Sequence, residues 1–239
     1  MATSDITRLP VANAGPEAQS EVAPITIVSG LPRSGTSLMM QLLEAAGLPA
    51  FTDGRRRADD SNQNGYYEHD QVASLLTSPD KSWLAGARGH SLKVVAPLLA
   101  ALPLQIQKST INNQKSSIHD PQSTISPLHY RVLFMERDME EILESQDTML
   151  ARLGKPTHPG ADIAKAYRQQ VHHAKTWAPG RGIPALSVSY ADLVHRPDEA
   201  LPPLAAFLGV TEKLAAMRAV VDPTLHRARR AAGLATALA

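Results

Sequence analysis

The sequence predicts an α/β domain with a mainly parallel central sheet. Three observations carry this. Short apolar runs alternate with longer segments of helical periodicity, as βαβ units require. The first such run, Ile25 to Ser29, meets a glycine-rich turn and then an amphipathic segment. The 239 residues, 43% of them hydrophobic, suffice for one sizeable α/β domain or at most two small ones.

Ile25 to Ser29 reads as a buried strand: continuous, β-branched and entered through Pro24. Leu38, Met39, Leu42, Leu43 and Ala46 then recur at helical spacing, with Gly47 and Pro49 as the stop. Asp53 to Glu68 is polar and turn-rich, and a short helix from about His69 to Leu76 follows it. Ser91 to Leu99 reads as a second strand running into a short helix, and Tyr130 to Met135 as a third strand before a helix ended by Gly154. A further helix covers roughly Pro159 to Trp177, and Ile183 to Tyr190 is the fourth strand. Pro197 to Leu208 and Thr211 to Val220 read as helices.

Gln105 to Leu128 breaks the rhythm, being rich in Ser, Gln, Asn and Lys with little periodicity. A structureless stretch that long is uncommon inside a compact domain. It reads as a polar insertion at about 105–128, a surface excursion in preference to a cover over the active site. Residues 1–24 carry neither the charged start nor the apolar run of a secretory signal, and read as a flexible leader before a single domain over 25–239. No apolar run approaches the roughly 18 residues of a membrane span, and a cytoplasmic protein is expected. A net charge of +1 gives no reason to expect a nucleic-acid partner. The absence of cysteine removes disulfides, thiolate metal sites and cysteine nucleophiles together.

The turn Gly30-Leu31-Pro32-Arg33-Ser34-Gly35-Thr36-Ser37 nearly matches the phosphate-binding pattern G-x-x-x-x-G-K-[ST], with Thr36 where the lysine would stand. Unpaired amides and the positive end of the dipole converge at a helix start, and glycines let the chain approach an anion closely. Ser34, Thr36 and Ser37 add hydroxyls, and Arg33 adds a permanent planar charge. The plain alternative is a glycine turn that caps a helix and binds nothing. In triphosphate-using enzymes the missing lysine reaches the β- and γ-phosphates, so this loop suits a shorter anionic chain.

Two later motifs bear on the ligand. Arg137 closes a strand and Ser145 lies eight residues on, a little over two helical turns. Together they can grip a second anionic group; the plain alternative pairs Arg137 with Asp138 or Glu141. The segment from Leu186 to Val210 places Tyr190 at a strand end, then Asp192-Leu193, Pro197, a helix and Phe207-Leu208-Gly209. In this order, the three features resemble the sulfotransferase superfamily, specifically its small bacterial members, over roughly Thr26 to Gly209. The resemblance implies a P-loop NTPase-like three-layer α/β/α fold. It implies 3′-phosphoadenosine 5′-phosphosulfate (PAPS) as donor and adenosine 3′,5′-bisphosphate (PAP) as product, without a metal. By that resemblance Pro32, Arg33, Ser34, Gly35, Thr36 and Ser37 hold the 5′-phosphosulfate, Arg137 and Ser145 the 3′-phosphate, and Tyr190 lies beside the adenine. The chain departs from the family pattern at Ala191 and Met139, and a late basic motif has only Arg227, Arg229 and Arg230 to represent it.

Sulfuryl transfer needs positioning, charge stabilisation at the leaving group and removal of the acceptor proton. Arg33 and Thr36 are the expected leaving-group partners. Lys93, at the end of its strand, is a candidate for the sulfuryl oxygens, against a plain reading as a snorkelling lysine. For the base, Glu68, which follows two tyrosines, is preferred to its neighbour His69; the plain alternative for both is an ordinary loop rim. The remaining histidines show no metal-ligand spacing, and Arg55-Arg56-Arg57 reads as a solvated turn. The acceptor, a small molecule, lipid headgroup or glycan, is not specified, and a homodimer stays open. The rival readings are a small-molecule kinase using Mg-ATP and a catalytically silent nucleotide-binding module.

Overall fold

The computed structural model describes residues 23–55, 65–108, 124–156 and 160–222. Most of the leader, Arg56 and Arg57, the centre of the insertion and the late arginines lie outside the described residues. The chain runs β1 (Ile25–Gly30), α1 (Thr36–Ala45), α2 (Asp70–Ala73), β2 (Ser91–Lys93), β3 (Gln105–Lys108) and β4 (Thr124–Pro127). It continues through β5 (Tyr130–Glu136), α3 (Met139–Arg152), α4 (Gly160–Trp177), β6 (Ala185–Ser189), α5 (Tyr190–His195), α6 (Pro197–Leu208) and α7 (Leu214–Val220). Short 3₁₀ turns at Ser82–Ala87 and Ala96–Ala101 flank β2.

β2, β1, β5 and β6 form one sheet in that order, every pair parallel. A strand covered on both faces reads as a continuous apolar run, and all six residues of β1 are buried. Side chains of successive strand residues go to opposite faces. Ile25 and Ile27 pack with Leu31, Val132, Phe134 and Trp177 beneath α4 and the Ala96–Ala101 turn. Val28 and Leu133 pack with Met39, Met40, Val188 and Leu204 beneath α1 and α6. The result is a three-layer α/β/α arrangement around the parallel central sheet that the alternation predicts.

The structure revises two boundaries with consequences. The fourth strand stops at Ser189, because the Ser189 hydroxyl accepts from the Asp192 amide at 3.2 Å and caps α5. Tyr190 is therefore the first residue of a helix and not the end of a strand. The insertion is also not structureless at its ends. β3 and β4 pair antiparallel from Gln105 against Pro127 to Lys108 against Thr124. Ile106 is buried, and Arg88 donates to Ser126 Oγ at 2.6 Å and to the Pro127 carbonyl at 3.0 Å. Among the described residues, no helix is long and apolar enough to cross a membrane.

Candidate functional site

Because all strands of the sheet run the same way, their carboxyl ends share one edge, where ligands of open α/β sheets bind. The glycine-rich turn leaves β1 at that edge. Gly35 has φ of 99°, and a Cβ there would come within 2.3 Å of the Tyr190 ring. Only glycine fits, so the loop lies flat against Tyr190. Gly35 is also the N-cap of α1, which has no side-chain cap. The first amides of a helix lack intrahelical acceptors, which leaves this N-terminus suited to an anion. Thr36 and Ser34 are buried, Ser34 at 1% exposure, and the Ser34 hydroxyl has no hydrogen-bond partner among the described residues. Pro32 is exposed on the turn.

Arg33 takes left-handed backbone, φ 71°, and its Nε donates to Ser145 Oγ at 3.0 Å. Arg137 donates through Nη1 to the Arg33 carbonyl at 3.0 Å and through Nε to Glu141 Oε2 at 2.9 Å. The Arg137 and Glu141 side chains are only 8% and 12% exposed. The Arg137 guanidinium also lies 4.5 Å from the centre of the Tyr190 ring, a cation–π contact. Burial pushes the Tyr190 phenol up; Arg137 opposes this and Glu141 reinforces it. The structure thus brings Arg33, Arg137, Ser145 and Tyr190 to one place, with Glu141 as an additional member. The i,i+4 spacing of Arg137 and Glu141 is the sequence signal for that pair.

A second cluster lies on the β2 side of the loop. Lys93, 9% exposed, donates through Nζ to the Tyr66 carbonyl at 2.8 Å and to Ser37 Oγ at 3.5 Å. Glu68 Oε1 is 3.8 Å from the same ammonium. Lys93 is therefore buried against the helix that follows the glycine-rich loop and does not snorkel to solvent.

The segment carrying Glu68 is tied down at three points. Thr52 Oγ1 donates to the Glu68 carbonyl at 2.7 Å, and the Tyr66 carbonyl holds Lys93. Between them Tyr67 sits in left-handed backbone, φ 53°, with its phenol bonded to Glu44 of α1. Burial first and Glu44 second push that phenol up to about 12. No sequence signal marks Tyr67 or Glu44, because a bond between a loop and a distant helix has no period.

His69, one residue on from Glu68, is engaged elsewhere. Its ring stacks near-parallel on Phe51 and Trp83, with centroids 4.8 and 5.2 Å away. Its Nδ1 accepts from the Gln71 amide at 3.3 Å at the start of α2. Arg55, the described member of the arginine run, pairs with Asp70 on the surface. Among the described residues, no group of three or more His, Cys, Asp or Glu side chains is placed to hold a metal ion.

No protein-family model matches the chain. No match is found among curated proteins. Among solved structures the chain is similar to a sulfotransferase domain from the curacin biosynthetic pathway, at 14% identity and a TM-score of 0.41, over 81% of this chain and 77% of that one.

Proposed function

We propose that this protein transfers a sulfuryl group from PAPS to a hydroxyl or amine of a small acceptor. The observation that carries the reading is the position of Lys93. The loop lacks a lysine at Thr36, and a buried ammonium arrives beside Ser37 from the neighbouring strand instead. That supplies one charge at the helix N-terminus, which suits a phosphosulfate better than a triphosphate. The partnerless Ser34 hydroxyl, the uncapped N-terminus of α1 and the close fit of Gly35 on Tyr190 suit an anionic group held by the loop.

In the transfer, the acceptor oxygen or nitrogen bonds to sulfur as the bond from sulfur to the phosphate oxygen breaks. The electron pair departs with the 5′-phosphate, and the acceptor proton leaves to a base. Arg33, Thr36 and the amides at the start of α1 stabilise the departing phosphate, and Lys93 neutralises the sulfuryl oxygens. Pro32, Ser34, Gly35 and Ser37 complete the cradle. Arg137 and Ser145 hold the 3′-phosphate, and Tyr190 flanks the adenosine. Glu68 takes the proton: its carboxylate stands beside Lys93, whereas the His69 ring is occupied in stacking and capping.

The test is a pair of measurements. PAP is expected to raise the melting temperature more than Mg-ATP does. Radiolabelled sulfate is then expected to move from PAPS into a member of a mixed acceptor library. A larger shift with Mg-ATP would hand the site to a kinase. PAP binding without any label transfer would leave a silent nucleotide-binding module.

A further inference from the structure

We infer that Arg168 of α4 is a second cation for the 3′-phosphate of the donor, an assignment that rests on the transfer reading above. A phosphate monoester carries about 1.5–2 negative charges at pH 7. Arg137, the cation that meets it in that reading, is bonded to Glu141 at 2.9 Å with both side chains nearly buried, so the pair is close to neutral. Ser145 adds a hydroxyl and no charge. A phosphate held between them calls for a further cation.

Two contacts put Arg168 at that place. Arg137 and Arg168 line one pocket of about 170 Å³, together with Glu136 and Lys175. Pockets for drug-sized molecules run to roughly 300–1,000 Å³, so this one admits a phosphate and part of its sugar and not a whole nucleotide. Independently, the Tyr167 hydroxyl donates to Gln146 Oε1 at 2.6 Å. Tyr167 adjoins Arg168 and Gln146 adjoins Ser145, so the bond draws α4 against α3 beside that serine. Two turns further along α4, Lys175 pairs with Glu136 at 2.6 Å. The carboxylates thus match Arg137 and Lys175. Arg168 is exposed and has no ion-pair partner among the described residues. Its planar fork can take two phosphate oxygens at once. Phe134 and Ile142 beneath the pocket are buried core and take no part.

The test titrates the full-length protein calorimetrically with PAP and with adenosine 5′-monophosphate, which lacks the 3′-phosphate. Arg168→Gln is expected to weaken PAP at least tenfold and to leave the monophosphate within twofold. Arg168→Lys, which keeps the charge and loses the fork, should fall between. Lys165 is exposed one turn earlier on α4 and lies outside the pocket lining. Lys165→Gln should move neither nucleotide by more than twofold, which separates a contact from general attraction. An undiminished preference for PAP in Arg168→Gln overturns the inference, as does an equal loss in Lys165→Gln. Label transfer from PAPS is measured on the same samples. A preference that depends on Arg168, with no transfer to any acceptor, strikes the transfer reading and leaves this contact standing. Transfer by a protein whose preference survives Arg168→Gln does the reverse, and a wild type without preference for PAP overturns both.

Discussion

Arg33 Nε donates to Ser145 Oγ across 3.0 Å, joining the glycine-rich loop to the third helix. Arg137 doubles the connection by donating to the Arg33 carbonyl. The loop's cation and the helix hydroxyl therefore engage each other directly. Arg33→Ala is expected to weaken PAP binding and lower turnover together, because the charge holds the bound phosphate and also meets the further negative charge that builds on it in the transition state. Ser145→Ala should cost stability of about 0.5–1.5 kcal/mol, the usual worth of one such bond. An unchanged PAP dissociation constant in Arg33→Ala removes the arginine from the donor site.

For Arg137→Ala two losses are expected, and they separate. Preference for PAP over adenosine 5′-monophosphate should shrink by about 1.5–3 kcal/mol, the range for hydrogen bonds to charged groups. Stability should fall as well, by roughly 3–5 kcal/mol, because the Arg137–Glu141 pair, at 8% and 12% exposure, is broken by removing one side of it. Adding Glu141→Ala should recover part of the stability and none of the nucleotide preference. Denaturant titration and competition binding read the two effects separately.

The pair Glu68 and His69 gives a sharp contrast. Once an acceptor is found, Glu68→Gln should reduce turnover about 10²–10⁴-fold with PAP affinity retained. Lys93→Met should lower turnover about 10²–10³-fold, as loss of one transition-state contact does. His69→Ala should instead lower the melting temperature through the lost stacking on Phe51 and Trp83, with aromatic pairs worth about 0.5–1.5 kcal/mol each. A large turnover loss in the histidine variant, with stability unchanged, would transfer the base role to it.

Glu136 supplies a prediction in pH. Burial raises its carboxyl, but hydrogen bonds from Lys175 and Ser187 outweigh this and hold it below its ordinary value of 4.5. A depressed folded-state value means stability present above the unfolded value and lost as pH falls through the folded one. Glu136→Gln should therefore be the less stable protein at pH 7, by on the order of 0.2–1 kcal/mol for a partly exposed pair. The difference should shrink below pH 4.5 and close in stronger acid. A gap that stays constant to pH 2.5 would assign the loss to packing.

The first strand, the turn and the helix after it are legible in sequence because they are local: a buried β-branched run, two glycines and an apolar stripe lie within one window. Ser189 is a harder case: its spacing to Asp192 fits a helix cap, but the apolar run carries the strand reading on to Tyr190, and it is the hydrogen bond to the Asp192 amide that ends it a residue earlier. What local pattern does not carry is the meeting of parts. Arg33 and Ser145 lie 112 residues apart, and Lys93 and Ser37 lie 56 apart. Those approaches follow from the parallel order β2-β1-β5, which brings the ends of three separate strands to one edge. The paired ends of the insertion are illegible for the same reason: a polar strand shows itself only when its partner is known.

The pairing of Gln105 with Pro127 and of Lys108 with Thr124 has a consequence for how the gene can vary. Paired strands lie about 4.8 Å apart, so the chain departs from the domain and rejoins it through a single narrow doorway. For a flexible loop between two paired ends, doubling the length costs only about 0.6 kcal/mol. Shortening the stretch beyond the doorway to a tight turn should leave the melting temperature nearly unchanged, whereas cutting into the stem exposes Ile106 and strands Arg88. The hairpin makes residue count a free parameter at this point of the chain. A reporter or affinity module spliced there would ride on the domain without straining it.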